Sequence, residues 1–119
     1  MSDLLHSHPL LAAWLSAFLL TQLVEMPIWL AAARRLGWKR AFLIAFGTSA
    51  LTHPLLWFAI PWDRWPYEPT VIGAEIAVVI VETLFAGALG LKRPWLWALI
   101  ANGASIAAGT LTRWAFGWP

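Results

Sequence analysis

Among the polar residues inside the long apolar runs of the chain, six could do chemistry: Glu25, His53, Glu75, Glu82, Asn102 and Ser105. An ionisable side chain at the centre of a membrane helix opposes insertion by about 2.5–3.5 kcal/mol. Glu25, Glu75 and Glu82 together therefore oppose it by several kcal/mol, and are expected to face the bundle interior and find partners there. Carboxylates and an imidazole exchange protons readily, so the set fits a proton or cation relay. Glutamate oxygens with an imidazole nitrogen also suit Zn, Mn or Fe. Glu25, His53, Glu75 and Glu82 are thus candidate metal ligands, although the Glu-x-x-His pairs of carboxylate di-iron bundles are missing. A third reading is structural, with these groups hydrogen-bonded across helices or to a partner subunit. A Ser105–His53 dyad is conceivable, but no spacing asks for it, and no serine has a nucleophile-elbow context. Phosphate-loop and dinucleotide glycine patterns are absent. The sequence leans away from an enzyme and names no cofactor.

Spacing supports convergence. Glu75 and Glu82 are seven residues apart, on one helical face two turns from each other. Thr21 and Glu25 share a face, as do Asn102, Ser105 and Gly109. The midpoints of the four runs fall near Gln22, Leu51, Ile80 and Ala104, which puts Glu25, His53, Glu82 and Asn102 close to one central layer. Pro27 and Pro54 deprive the carbonyls of Leu23 and Ala50 of their helical donors. Those two acceptors are expected to join the same layer, because unpaired backbone in a bilayer needs a partner or a water-filled cavity. Gly103, Ala104, Ser105, Ala107, Ala108 and Gly109 make the fourth run rich in small residues, which let membrane helices approach closely.

The elements that must hold these residues are long apolar helices. The chain has 119 residues, 61% hydrophobic and 12% charged, with a mean hydropathy of +0.69. Soluble domains run at about 45–50% and about 25%, so disorder and a soluble globular domain are both set aside. Four spans are read, at about 10–33, 41–62, 71–91 and 94–116, within one integral membrane domain, 1–119. Pro94 suits the first turn of the last one. The first run is too long for a signal peptide and its flank, Met1–Pro9, carries no Lys or Arg. The loop Pro61–Pro69 holds three prolines and is expected to be a stiff, non-helical cap.

Charge sets orientation. Arg34, Arg35, Lys39, Arg40, Lys92 and Arg93 lie in the first and third loops, and only Arg64 and Arg113 lie on the other side. The positive-inside rule places those two loops in the cytoplasm and both termini outside. The pI near 9.7 is then a topology signal rather than a sign of nucleic-acid binding. The absence of cysteine excludes disulfides, iron–sulfur clusters and thiol chemistry. Ten tryptophans read as an aromatic belt, with Trp29, Trp38, Trp95 and Trp97 at one interface, Trp57, Trp62, Trp65, Trp114 and Trp118 at the other, and Trp14 in the outer half of the first span. The alternative is a stacking wall for a pigment, quinone or cationic ligand. His6 and His8 read as solvated tail residues.

Glu25-Met26-Pro27, Thr52-His53-Pro54-Leu55-Leu56-Trp57, Glu75 with Glu82, and Asn102-Gly103-Ala104-Ser105 resemble, in that order, a group of small bacterial four-span integral membrane proteins with no assigned activity. That resemblance covers all four spans and implies the span count. In length and span number the chain is also similar to small multidrug resistance transporters, with Glu25 in the place of their first-span glutamate. It departs from them in its extra glutamates, in His53 and in lacking their glycine-rich third span.

The sequence thus predicts an all-α four-helix transmembrane bundle, N-out and C-out, in a bacterial inner membrane. Its expected role is proton- or cation-coupled transport or ion relay. The alternatives are an accessory or assembly subunit of a larger membrane complex, and an intramembrane metal-binding protein. Its expected partners are the lipid bilayer and further copies of itself or a larger complex.

Overall fold

A computed structural model describes residues 9–117, with side chains from residue 12 onward. Asp3, His6, His8 and Trp118 lie outside the described residues. Four helices carry the chain: α1 (Pro9–Ala33), α2 (Trp38–Phe58), α3 (Tyr67–Ala88) and α4 (Pro94–Phe116), and no strand is formed among the described residues. At about 1.5 Å per residue, even the shortest exceeds the roughly 30 Å of a bilayer's hydrocarbon core. Three stretches are long and apolar enough to cross a membrane: Ala12–Leu36, Trp38–Phe58 and Tyr67–Ala88. The fourth helix has 23 residues but is less apolar, because Asn102, Ser105, Thr110, Thr112 and two glycines interrupt its apolar run.

The two middle helices are displaced from the sequence expectation at both ends: α2 starts at Trp38, not Ala41, and α3 ends at Ala88, not Leu91. α2 ends at Phe58, not Trp62, where residues 61–65 form a turn with Arg64 N–H donating to the Pro61 carbonyl at 3.0 Å. α3 starts at Tyr67, so the last part of the proline loop is helical. Pro66 caps it and Pro69 falls in the first turn, where a missing N–H costs nothing because those donors have no helical acceptor. α1 and α2 both run through their prolines, Pro27 and Pro54. A short 3-10 turn (Arg34–Leu36) and Gly37, at φ 90°, reverse the chain between α1 and α2; that backbone region favours glycine.

The helices form a ring. α1 packs on α2 and α4, α3 packs on α4 and α2, and the diagonal pairs stay apart among the described residues. The α2–α3 seam is the loosest of the four. Gly47 makes close approach possible there, since a Cβ on it would lie 2.7 Å from Phe85 Cζ. Gly103 and Gly109, expected to bring helices together, have nothing within 4 Å of such a Cβ. Their small surface is not used inside this bundle.

Packing is uneven along the bundle axis. The buried apolar residues are Trp29, Ala33, Ala41, Ile44, Ala45, Ala86, Leu91, Ala98 and Ala101. All belong to the half of the bundle next to the two basic loops. Trp29 corrects its assignment to the aromatic belt. It is 0% exposed and shares the core cluster with six alanines, whose small side chains leave room for the indole. Trp38, Trp65, Trp95 and Trp114 are exposed, as a belt requires.

Candidate functional site

Above that apolar plug lies a layer of buried polar side chains: Gln22, Glu25, Thr48, Ser49, Thr52, His53, Glu82 and Asn102. Each helix contributes through one face, because residues three, four or seven apart line up. Glu82 is the most connected. It is 1% exposed, its Oε1 accepts from Asn102 Nδ2 on α4, and its Oε2 lies 3.1 Å from Thr52 Oγ1 on α2. Asn102 Nδ2 also donates to the Ala98 carbonyl at 2.8 Å, and Thr52 Oγ1 lies 2.9 Å from the Thr48 carbonyl. A hydroxyl has one hydrogen and the amide nitrogen has two. Asn102 can serve both its acceptors at once. Thr52 cannot. Either it donates to an ionised Glu82, or it donates to Thr48 while a protonated Glu82 donates to it. The site accommodates both protonation states of Glu82 without moving a heavy atom.

The other neighbouring pairs carry polar links too. Ser105 Oγ donates to Thr21 Oγ1 at 3.5 Å between α4 and α1, and Gln22 Nε2 donates to the Phe46 carbonyl at 3.4 Å between α1 and α2. Every adjacent helix pair is thus bridged in this layer.

A cavity of about 150 Å³ occupies the middle of the layer. Of the candidates singled out in the sequence, Glu25, His53, Glu75, Glu82, Asn102 and Ser105 all line it, and Thr21, Ser49 and Thr52 line it with them. It is polar and has room for several waters. Several of its polar atoms are buried and unpaired: Glu25 Oε1, Ser49 Oγ and His53 Nδ1. Ser105 and Trp29 border Glu25, and the Trp29 indole N–H is also unpaired. Among the described residues no Lys or Arg lines this chamber. Leu23 and Ala50 do not line it either, so the two carbonyls freed by proline are not part of it; the Leu23 side chain is 74% exposed on the outside of the bundle.

His53 stands apart from the carboxylates. Its ring lies among Phe18, Trp57 and Trp14, at centroid distances of 5.5, 6.3 and 6.5 Å. Ser105 pairs with Thr21, not with His53, so the dyad is not formed. Among the described residues no three His, Asp or Glu side chains stand close enough to hold one metal ion. The proposed ligand set Glu25, His53, Glu75 and Glu82 is spread around the chamber wall rather than gathered at a point.

Toward the proline-loop end the chamber adjoins a second space. Leu56 and Glu75 line both the chamber and this second cavity of about 320 Å³, walled also by Trp57, Trp62, Tyr67 and Arg113. That vestibule lies at the proline-loop end, and Trp62 is fixed there by its indole N–H donating to the Leu56 carbonyl at 2.9 Å. Toward the basic loops the path ends on Trp29 and its alanines.

Sequence reasoning missed Thr52, Ser49 and Gln22. A signal existed for the first two. Ser49, Thr52, His53 and Leu56 fall on one helical face, so a polar stripe surrounds His53. These features define a small helical membrane protein with a polar interior. Comparison of the chain with protein-family models, with curated proteins and with solved structures gave no match.

Proposed function

We propose that the protein is a four-span inner-membrane protein of bacterial type, N-out and C-out, that takes up a proton or small cation from the outer side into the Glu25–Glu82 chamber as part of transport or ion relay. The observation that carries this is the unbalanced charge of the chamber. Glu25, Glu75 and Glu82 line it and, among the described residues, no Lys or Arg does. A carboxylate held away from water without a counter-charge requires a proton or a cation to neutralise it. Glu82 has the hydrogen-bond geometry to exist with or without the proton. Glu75 stands where the vestibule meets the chamber, on the way in. Movement onward requires the Trp29 plug to open, so the cycle includes a second arrangement of the helices.

Proteoliposomes carrying a pH-sensitive dye test this. Wild type should dissipate an imposed pH gradient, and Glu82→Gln should abolish that flux. Equal leakage from the two would refute the reading.

One observation favours the accessory or oligomeric alternative. Gly103, Ala107 and Thr110 form an exposed small-residue face on α4 that nothing in this bundle covers, and such faces pack against other helices in membranes. Purification in a mild detergent separates the cases. A stable larger complex with other proteins supports the accessory role, and a homodimer or monomer counts against it.

A further inference from the structure

The basic end holds a cavity that the ion path does not use. It measures about 560 Å³ and is lined by Arg34, Arg35, Lys92 and Arg93, over an apolar floor that includes Leu91 and Trp97. Arg40 reaches its edge from α2, for a Cβ on Gly90 in the cavity wall would lie 3.5 Å from the Arg40 guanidinium. Three separate elements thus send cations to one place. No Asp or Glu occurs between Met26 and Trp62 or after Glu82, so no carboxylate of these segments opposes them. Setting topology needs positive charge only somewhere in the loops. It does not need the charges gathered around a concave surface with an apolar floor.

We propose that this cavity binds the phosphate headgroup of an anionic phospholipid from the adjoining leaflet. Guanidinium groups match phosphate oxygens in geometry and charge. Basic pockets between helices near a membrane surface suit such headgroups. The apolar floor and the exposed Trp38 and Trp95 nearby put the cavity at the interface, where a headgroup sits above its own chains. Arg93 adds a second mark. It holds φ 53°, ψ 48°, a left-handed conformation that is uncommon for a residue with a Cβ. Glycine would take that conformation without strain, so arginine is present there despite a backbone cost.

The test titrates delipidated protein in an uncharged detergent with short-chain phosphatidylglycerol, with phosphatidylcholine of equal chain length, and with inorganic phosphate. Tryptophan fluorescence reads the thermal unfolding midpoint, which rises when a ligand binds the folded state. Phosphatidylglycerol should raise the midpoint and phosphatidylcholine should not. Arg93→Gly relieves the backbone and so folds, yet should need about fivefold more lipid for the same rise, the factor set by one cation beside an anionic lipid. Arg35→Gln combined with it should need about 25-fold more on the same scale. Lys39→Gln, outside the cavity, should behave as wild type. Three results would each overturn the proposal: equal response to the two lipids, full response to inorganic phosphate alone, or a loss in Lys39→Gln as large as in Arg93→Gly.

Discussion

Replacing Glu82 by glutamine and by alanine separates what its shape contributes from what its charge contributes. Glutamine keeps the shape. Its Oε1 can accept from Asn102, and its Nε2 can donate to Thr52 Oγ1 while Thr52 donates to the Thr48 carbonyl. Every bond of the protonated glutamate is then retained, and the fold should stay within about 0.5 kcal/mol of wild type or gain stability. Alanine removes two interhelical hydrogen bonds. Such bonds in membrane bundles average about 0.6 kcal/mol and reach about 1.7. Thr52 and Asn102 keep their Thr48 and Ala98 acceptors, and the space left joins the existing chamber, where water can enter. The loss should therefore be about 1–2 kcal/mol, below the upper end of two full bonds. Reversible denaturant unfolding in lipid–detergent bicelles measures both variants against wild type. If glutamine destabilises as much as alanine, Glu82 acts through its charge and the hydrogen-bond account of the chamber is wrong.

Other expectations follow from the same packing. Trp29→Ala should destabilise the bundle clearly, because the cavity it leaves forfeits the packing contacts that hold membrane helices together, whereas Trp114→Ala, 84% exposed, should leave bicelle unfolding nearly unchanged. Gly47→Ala should destabilise by about 1 kcal/mol through overpacking, and the loss should shrink in a Phe85→Leu background, since Phe85 is what the new methyl meets; additive losses would refute the contact. Gly103→Ala should be neutral or slightly stabilising for the bundle fold, because it meets nothing and helix propensity favours alanine. Should it instead weaken self-association on sedimentation, the exposed α4 face is an oligomer contact. Elemental analysis should find no stoichiometric Zn, Mn or Fe, and one bound metal per chain would reverse the reading of the dispersed ligand set.

Helix number and approximate position were legible because apolar runs of more than twenty residues have one stable solution in lipid. The bounds near Phe58 and Tyr67 were not. Three prolines in nine residues suggested a loop, yet proline is as much at home in a first turn. The polar layer was legible from depth alone, since a run midpoint and a rise of about 1.5 Å per residue locate a residue along the membrane normal. What depth does not encode is azimuth between helices. His53 and the carboxylates share a layer, but His53 turns toward Phe18 and Trp57 while Glu82 turns toward Thr52 and Asn102. Trp29 shows the same gap. Its position near a helix end signals the interface, and only the alanines contributed by the other helices reveal a slot for it.

A purely structural role accounts for half of the polar layer. Lipid offers no hydrophobic drive between helices, so polar bridges at each interface help to choose one arrangement. Glu82, Asn102, Thr52, Ser105, Thr21 and Gln22 all take part in such bridges. Glu25 fits that account only in part. It is 2% exposed, has Ser105 as its side-chain partner on another helix, and still leaves Oε1 unpaired toward a chamber shared with Glu82. A glutamate serving only packing would be replaced at no loss by leucine, which avoids the insertion cost of about 2.5–3.5 kcal/mol. Glu25→Leu should accordingly leave bicelle stability equal or higher while removing dye-reported proton flux, with Glu25→Gln keeping the fold and also losing flux. If Glu25→Leu unfolds the bundle, Glu25 is a structural residue after all. If it folds and conducts as wild type does, the chamber's chemistry rests on Glu82 alone.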